Sequence, residues 1–339
     1  MKSHEIVIDA LTPAIGVPGG EVLITCRGFQ AGLPSSSKVL LGKVEASILS
    51  ASAERVVIRL PENSQALGIE LQVEGKRSPM FPFLLGARLA ADLHPVMNPV
   101  IAPDGEIITT ISGSRGQQVP HSLIRISRTG QVTPYPCAIL NPTGLAFSPE
   151  GQLYITSRAE GSVLRYMNFE HLEVVAEDLG IPCGIVFDPE GRLYVGDRGG
   201  KVYRIDAAGK REVFASLPPS ISAYHLAMDG EGGLFVTGPT LAMRDPVYRI
   251  SRTGEVGVLL DGFARPQGLA LSPDGVLLLA ASYGGRKGIF RYSLRSKELV
   301  HHIAGPMLVG LALDADDLFL VDGSSLFWIR VGQASVQLS

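Results

Sequence analysis

Cysteine is scarce in this chain: Cys26, Cys137 and Cys183 are the only thiols in 339 residues. An odd, widely spaced set excludes a disulfide framework and has no metal-ligand spacing, so reduced thiols are expected. Charge is scarce as well. Asp, Glu, Lys and Arg make up 19% of the residues and nearly cancel, leaving a net charge of −3. That balance excludes recruitment of nucleic acid by bulk positive charge. Aromatic residues are 6%, with a single tryptophan, which leaves few stacking platforms for single strands. No apolar run approaches the roughly 18 residues of a membrane-spanning helix. The opening MKSHEIVIDALTPAIG lacks the apolar centre of a secretory signal, so a cytoplasmic location is the expectation.

Turn residues and apolar residues are what the chain has in quantity. It holds 39 glycines, 23 prolines and 45% hydrophobic residues. A turn-rich, all-β protein is the class this mix indicates. The length exceeds one ordinary core, so two domains or a repeat array are expected.

The chain contains two different texts. Residues 1–86 alternate apolar and polar with period two in EIVIDAL, GEVLITCRGF, SKVLLGKVEASILS, ERVVIRLPE and GIELQVEG, with Gly and Pro between the runs. Short strands of this kind build a sandwich. Pro13, Gly16, Gly19, Gly20, Gly28, Phe29, Gly42 and Pro61 give the segment a close likeness to a known family. It resembles an IPT/TIG domain, an immunoglobulin-like module. Some such domains assist DNA binding. Here eight Lys/Arg stand against eight Asp/Glu, so no phosphate footprint is visible, and a packing or spacer role is expected.

From residue 97 one phrase recurs: NPVIAPDGEIITT, PTGLAFSPEGQLYITS, PCGIVFDPEGRLYVGD, YHLAMDGEGGLFVTG, PQGLALSPDGVLLLAAS and VGLALDADDLFLVDG. The turn acids Asp104, Glu150, Glu190, Glu231, Asp274 and Asp316 are spaced by 46, 40, 41, 43 and 42 residues. Six copies at this period, each with about four strand-like runs, specify a six-bladed β-propeller over 87–339. The tetrapeptide SRTG occurs at 127–130 and 251–254, equivalent turns three blades apart. The phrase resembles NHL repeats and gluconolactonase-like (SMP-30-like) propellers. Residues 87–96 could add a strand that latches the last blade to the first, as could SVQL near the C-terminus.

The gluconolactonase resemblance implies a divalent cation such as calcium in the channel, held by carboxylates near the starts of the inner strands, and hydrolysis of a lactone or ester. The matching positions here are Met97, Thr143, Cys183, Tyr224, Gln267 and Val309, followed by Asn98 and His225 where four blades have glycine. None is a carboxylate, so no cofactor is expected. Asp197 and Asp322, at the ends of second strands, are the remaining metal candidates. They read equally as turn caps. His225 and Cys183, in adjacent blades, are the candidates for a base and nucleophile. Their alternative is a buried histidine and a buried thiol. The adjacent His301 and His302 lie in an outer strand and point to opposite faces, a poor metal pair.

Loops joining second to third strands share one end of the ring, the top face. Five of six carry an arginine: Arg115, Arg158, Arg198, Arg244 and Arg286, with Lys287 beside the last and Arg265 nearby. Guanidinium suits carboxylate or phosphate. The expectation is a non-catalytic recognition module that binds an anionic small molecule or an acidic protein surface here, with Asn98, Thr143, Tyr224, His225, Gln267 and Tyr283 as further contacts. Nucleic acid is not expected as a partner. The alternatives are local pairing of these arginines with Glu160, Asp197 and Asp245, and the metal-dependent hydrolase.

Overall fold

A computed structural model describes residues 5–32, 36–62, 67–111, 113, 116, 119–168 and 171–331. Every regular element in it is a strand. Near the N-terminus, one sheet orders its strands Val7–Thr12, Glu21–Arg27, Arg55–Arg59, Ser47–Ala51. A second orders Phe81–Pro82, Gly68–Val73, Ser37–Leu41, Val44–Glu45. Period-two alternation places Val22, Ile24, Val56 and Ile58 of the first in one apolar cluster with Val39, Leu41, Ile69 and Leu71 of the second. These eight side chains are fully buried.

The rest of the chain forms six four-stranded antiparallel blades of a β-propeller. In the second blade the strands run outward as Pro142–Phe147, Leu153–Ser157, Ser162–Asn168 and His171–Ala176. Inner strands are apolar on both faces because each blade lies between two others. The two SRTG turns are equivalent: in each, the glycine N–H donates to the serine carbonyl, and the Ser and Thr hydroxyls bond at 2.9 and 2.8 Å.

Closure of the ring uses residues from before the first blade. The sixth blade takes Leu308–Asp314, Asp317–Asp322 and Leu326–Arg330 from the end of the chain, and Ala87–Ala90 as its outer strand. The last blade is thereby tied to the segment that enters the first, which closes the ring. The fifth blade is also extended. Its outer strand, Leu299–Ala304, is followed in the same sheet by Ile15–Gly16 and Leu84–Leu85. The Val17 N–H donates to the Ala304 carbonyl at 2.9 Å. A Cβ on Gly20 would lie 2.6 Å from the Ala304 backbone. The N-terminal sheets therefore dock directly on the propeller.

Candidate functional site

The inner strands begin at the top of the channel. Met97, Thr143, Cys183, Tyr224 and Gln267 are buried there. Thr143 Oγ1 donates to the Pro182 carbonyl at 2.9 Å, and its hydroxyl meets that of Thr156 at 2.8 Å. Thr156 in turn accepts from the Gly144 N–H at 2.7 Å and donates to the Cys183 carbonyl at 2.9 Å. The equivalent Thr237 hydroxyl in blade four donates to the Gln267 carbonyl. The Tyr224 hydroxyl donates to the Pro218 carbonyl. Asn98 reaches two blades: its amide donates to the Leu269 carbonyl at 3.0 Å, and its Oδ1 accepts from Leu311 N–H at 3.1 Å. Asn98, Thr143 and Tyr224 thus direct these polar groups to the ring itself.

Glycine at the next position has a steric cause. A Cβ on Gly144 would stand 2.0 Å from the Cys183 carbonyl oxygen of the neighbouring blade. His225 occupies this position in blade four. It is buried, and neither ring nitrogen has a hydrogen-bond partner among the described residues. Burial pushes its pKa down to about 3, so the imidazole is neutral. The Cys183 thiol donates to the Ile181 carbonyl at 3.3 Å. Burial raises its pKa to about 12, opposed in part by nearby Arg198 and Arg158. The two side chains make no hydrogen bond with each other, and the thiol is held protonated, the form without nucleophilic power.

Asp197 Oδ1 accepts from the Ile181 N–H at 2.7 Å. Asp322 Oδ1 accepts from the backbone of Ser324 and Ser325 at 2.8 and 2.7 Å. Both carboxylates cap local backbone. Among the described residues, no group of three or more His, Cys, Asp or Glu side chains is arranged to hold a metal. Lower in the channel, a cavity of about 380 Å³ is walled mainly by apolar inner-strand residues such as Leu145, Ile185 and Leu311.

Arg198 and Arg244 make no ion pair with the acids that sequence proximity suggested, Asp197 and Asp245. Asp245, buried beside Arg244, accepts instead from the Thr240 N–H and hydroxyl at 3.0 and 2.6 Å. This bracing of loop 240–245 was invisible in sequence, where Asp245 read only as a neighbour of arginine. Asp197 is engaged with Ile181, not with Arg198. The Arg198 guanidinium donates to the Ile221 carbonyl at 2.8 Å, and that of Arg158 to the Gly113 carbonyl at 2.7 Å. Arg244, Arg265, Arg286 and Lys287 are exposed. Among the described residues no carboxylate pairs with Arg198, Arg244, Arg265, Arg286 or Lys287, whereas Arg125, Arg128, Arg165, Arg192, Arg204, Arg211, Arg249 and Arg330 elsewhere on the propeller are all ion-paired. Tyr283 is 40% exposed, its ring 4.9 Å from that of Phe263. Arg115 lies outside the described residues. His301 stacks on Phe290 with ring centroids 4.9 Å apart.

Comparison with known proteins places this architecture. A family model described as strictosidine synthase-like, N-terminal, matches residues 171–205. No curated protein matches the sequence. Among solved structures, a putative gluconolactonase is 16% identical with a TM-score of 0.57, covering 72% of this chain and 91% of its own. A Bacteroides thetaiotaomicron protein of unknown function is 13% identical with a TM-score of 0.56, covering 97% of this chain and 99% of its own. Virginiamycin B lyase from Staphylococcus aureus is 16% identical with a TM-score of 0.51, covering 70% and 94%. At these identities the likeness shows the fold, a β-propeller, and no more.

Proposed function

We propose that the chain is a non-catalytic propeller recognition module that binds a carboxylate- or phosphate-bearing partner at its top face. One observation carries this reading: five cations on that face, Arg198, Arg244, Arg265, Arg286 and Lys287, make no ion pair with a carboxylate among the described residues. An unneutralised guanidinium pre-set by a carbonyl, as Arg198 is by Ile221, offers its remaining donors to an incoming anion without reorganising. The braced loop 240–245 suits a specificity element, because loops on a rigid ring carry recognition. The protonated thiol of Cys183 and the neutral imidazole of His225 support recognition over covalent chemistry. We read residues 1–86 as the IPT/TIG-type, immunoglobulin-like module that their glycines and prolines suggest, acting as a docked spacer, and residues 87–339 as the propeller domain.

The test uses pyrophosphate and a fluorescein-labelled poly-Glu peptide as probes. The triple variant Arg198→Gln/Arg244→Gln/Arg286→Gln is expected to bind at least one of them about tenfold or more weakly, since each charge-assisted contact contributes roughly 1.5–3 kcal/mol. Salt should weaken wild-type binding more than the variant's. Equal binding by the two proteins refutes the reading. So does turnover of a lactone panel in the presence of added calcium.

A further inference from the structure

Five blades repeat an arginine on the third strand. Arg125, Arg165, Arg204, Arg249 and Arg291 pair in register with Ile108, Tyr154, Tyr194, Phe235 and Leu278, each four residues past the turn acid. In the first four blades the repeat neutralises its own arginine. Arg125 pairs with Asp104 and Glu106, Arg165 with Glu173, Arg204 with Glu212, and Arg249 with Asp229 and Glu231. Arg291 departs from this pattern. The residue opposite it on the outer strand is Val300, where blades two and three have Glu173 and Glu212. Among the described residues Arg291 makes no hydrogen bond and no ion pair.

Blade five is also the blade on which the N-terminal sheets dock. Arg291 lines the cleft formed there, a space of about 740 Å³ whose walls include Leu11 and Ile15 from the N-terminal side and Leu278 and Leu313 from the propeller. That volume is in the range of small-molecule sites, and junctions between units are where such sites concentrate. His302 also lines the cleft. It lies two residues beyond Val300 on the same strand, where the register with the arginine-bearing strand shifts, and it lines the cleft together with Val300 and Arg291. Burial, with Arg291 and His301 adding to it, lowers the His302 pKa to about 4. The cleft therefore presents a permanent cation, a neutral imidazole and an apolar wall. Two acids reach its rim: Asp274, whose carboxylate accepts from the Ser272 hydroxyl, and exposed Asp316.

We propose that this cleft binds a small organic monoanion with an apolar body, its carboxylate or sulfonate head on Arg291 and beside His302. A guanidinium without an internal acid leaves its planar fork available to such a head. The hydrocarbon or aromatic body covers Leu11 and Leu313, which the docking of the two units leaves only partly enclosed. A neutral imidazole adds a hydrogen bond without a second charge, which matches a head of one negative charge and not two. The site is remote from the top face and independent of the function proposed for it.

The experiment titrates the full chain with 1-anilinonaphthalene-8-sulfonate, read by fluorescence, with decanoate and decanol as competitors. One saturable site is expected, displaced by decanoate at concentrations at least tenfold below those at which decanol acts. Arg291→Gln should weaken binding about tenfold or more. Val300→Glu supplies the acid that blades two and three have opposite their arginines. It should fold as well as wild type and abolish binding, which separates loss of the site from loss of the fold. The triple variant Arg198→Gln/Arg244→Gln/Arg286→Gln should bind as wild type does. Absence of saturable binding, unchanged affinity in folded Arg291→Gln and Val300→Glu, or equal competition by decanol each overturns the proposal.

Discussion

Replacing His225 by leucine should raise stability at neutral pH and reduce the loss of stability in mild acid. In the folded chain this imidazole is fully enclosed, its two nitrogens have no hydrogen-bond partner among the described residues, and its pKa is pushed down to about 3. In the unfolded chain a histidine titrates near about 6.5. As pH falls below that value, the unfolded state takes up a proton that folded His225 refuses. Stability therefore rises with pH across the window from about 3 to 6.5, and is lost as pH falls through it. Between pH 7 and pH 5 the loss is about 2 kcal/mol for His225. His302, with a folded value of about 4, adds about the same. The lowered carboxylates Asp9 and Asp317 lose their contributions at lower pH, near their own range. His225→Leu removes the first share and leaves the second. It also removes two unsatisfied buried nitrogens, a gain of about 1–3 kcal/mol at pH 7. Urea unfolding at pH 7 and pH 5, followed by fluorescence of Trp328, the one tryptophan, measures both. If wild type and variant lose the same stability between the two pH values, the reasoning about His225 is wrong.

Thr156→Val should cost about 2–3 kcal/mol, because the Gly144 N–H and the Cys183 carbonyl would lose their fully buried hydroxyl partner; a thermal midpoint equal to wild type would contradict this. Gly20→Val should cost about 1–3 kcal/mol by overpacking, because its side chain would begin 2.6 Å from the Ala304 backbone. Faster proteolytic cleavage within residues 82–96 is the expected sign of undocking, and an unchanged digestion pattern would count against it.

The six turn phrases of the propeller were legible in the sequence because they are local. A Pro-acid-Gly turn between two apolar runs, as at 149–151, has few other ways to fold, and repetition of the phrase argues for blades that bury one another. The site was less legible. Asn98, Thr143 and Tyr224 read as channel-mouth polar residues, yet their polar groups are taken by carbonyls and amides up to 213 residues away. Asp197 and Asp245 sit beside arginines in sequence but bond to Ile181 and Thr240 in space.

By itself the sequence determined the strand periods and the turn chemistry, since these depend on residues only a few positions apart. Only the tertiary structure decided that Ala87–Ala90 completes the last blade, that Ile15–Gly16 extends the fifth, and that Arg291 faces a cleft. Strand edges carry the same backbone donors and acceptors whatever their side chains. Which edge meets which is therefore settled by closure of the ring and by the fit of distant surfaces, not by local pattern.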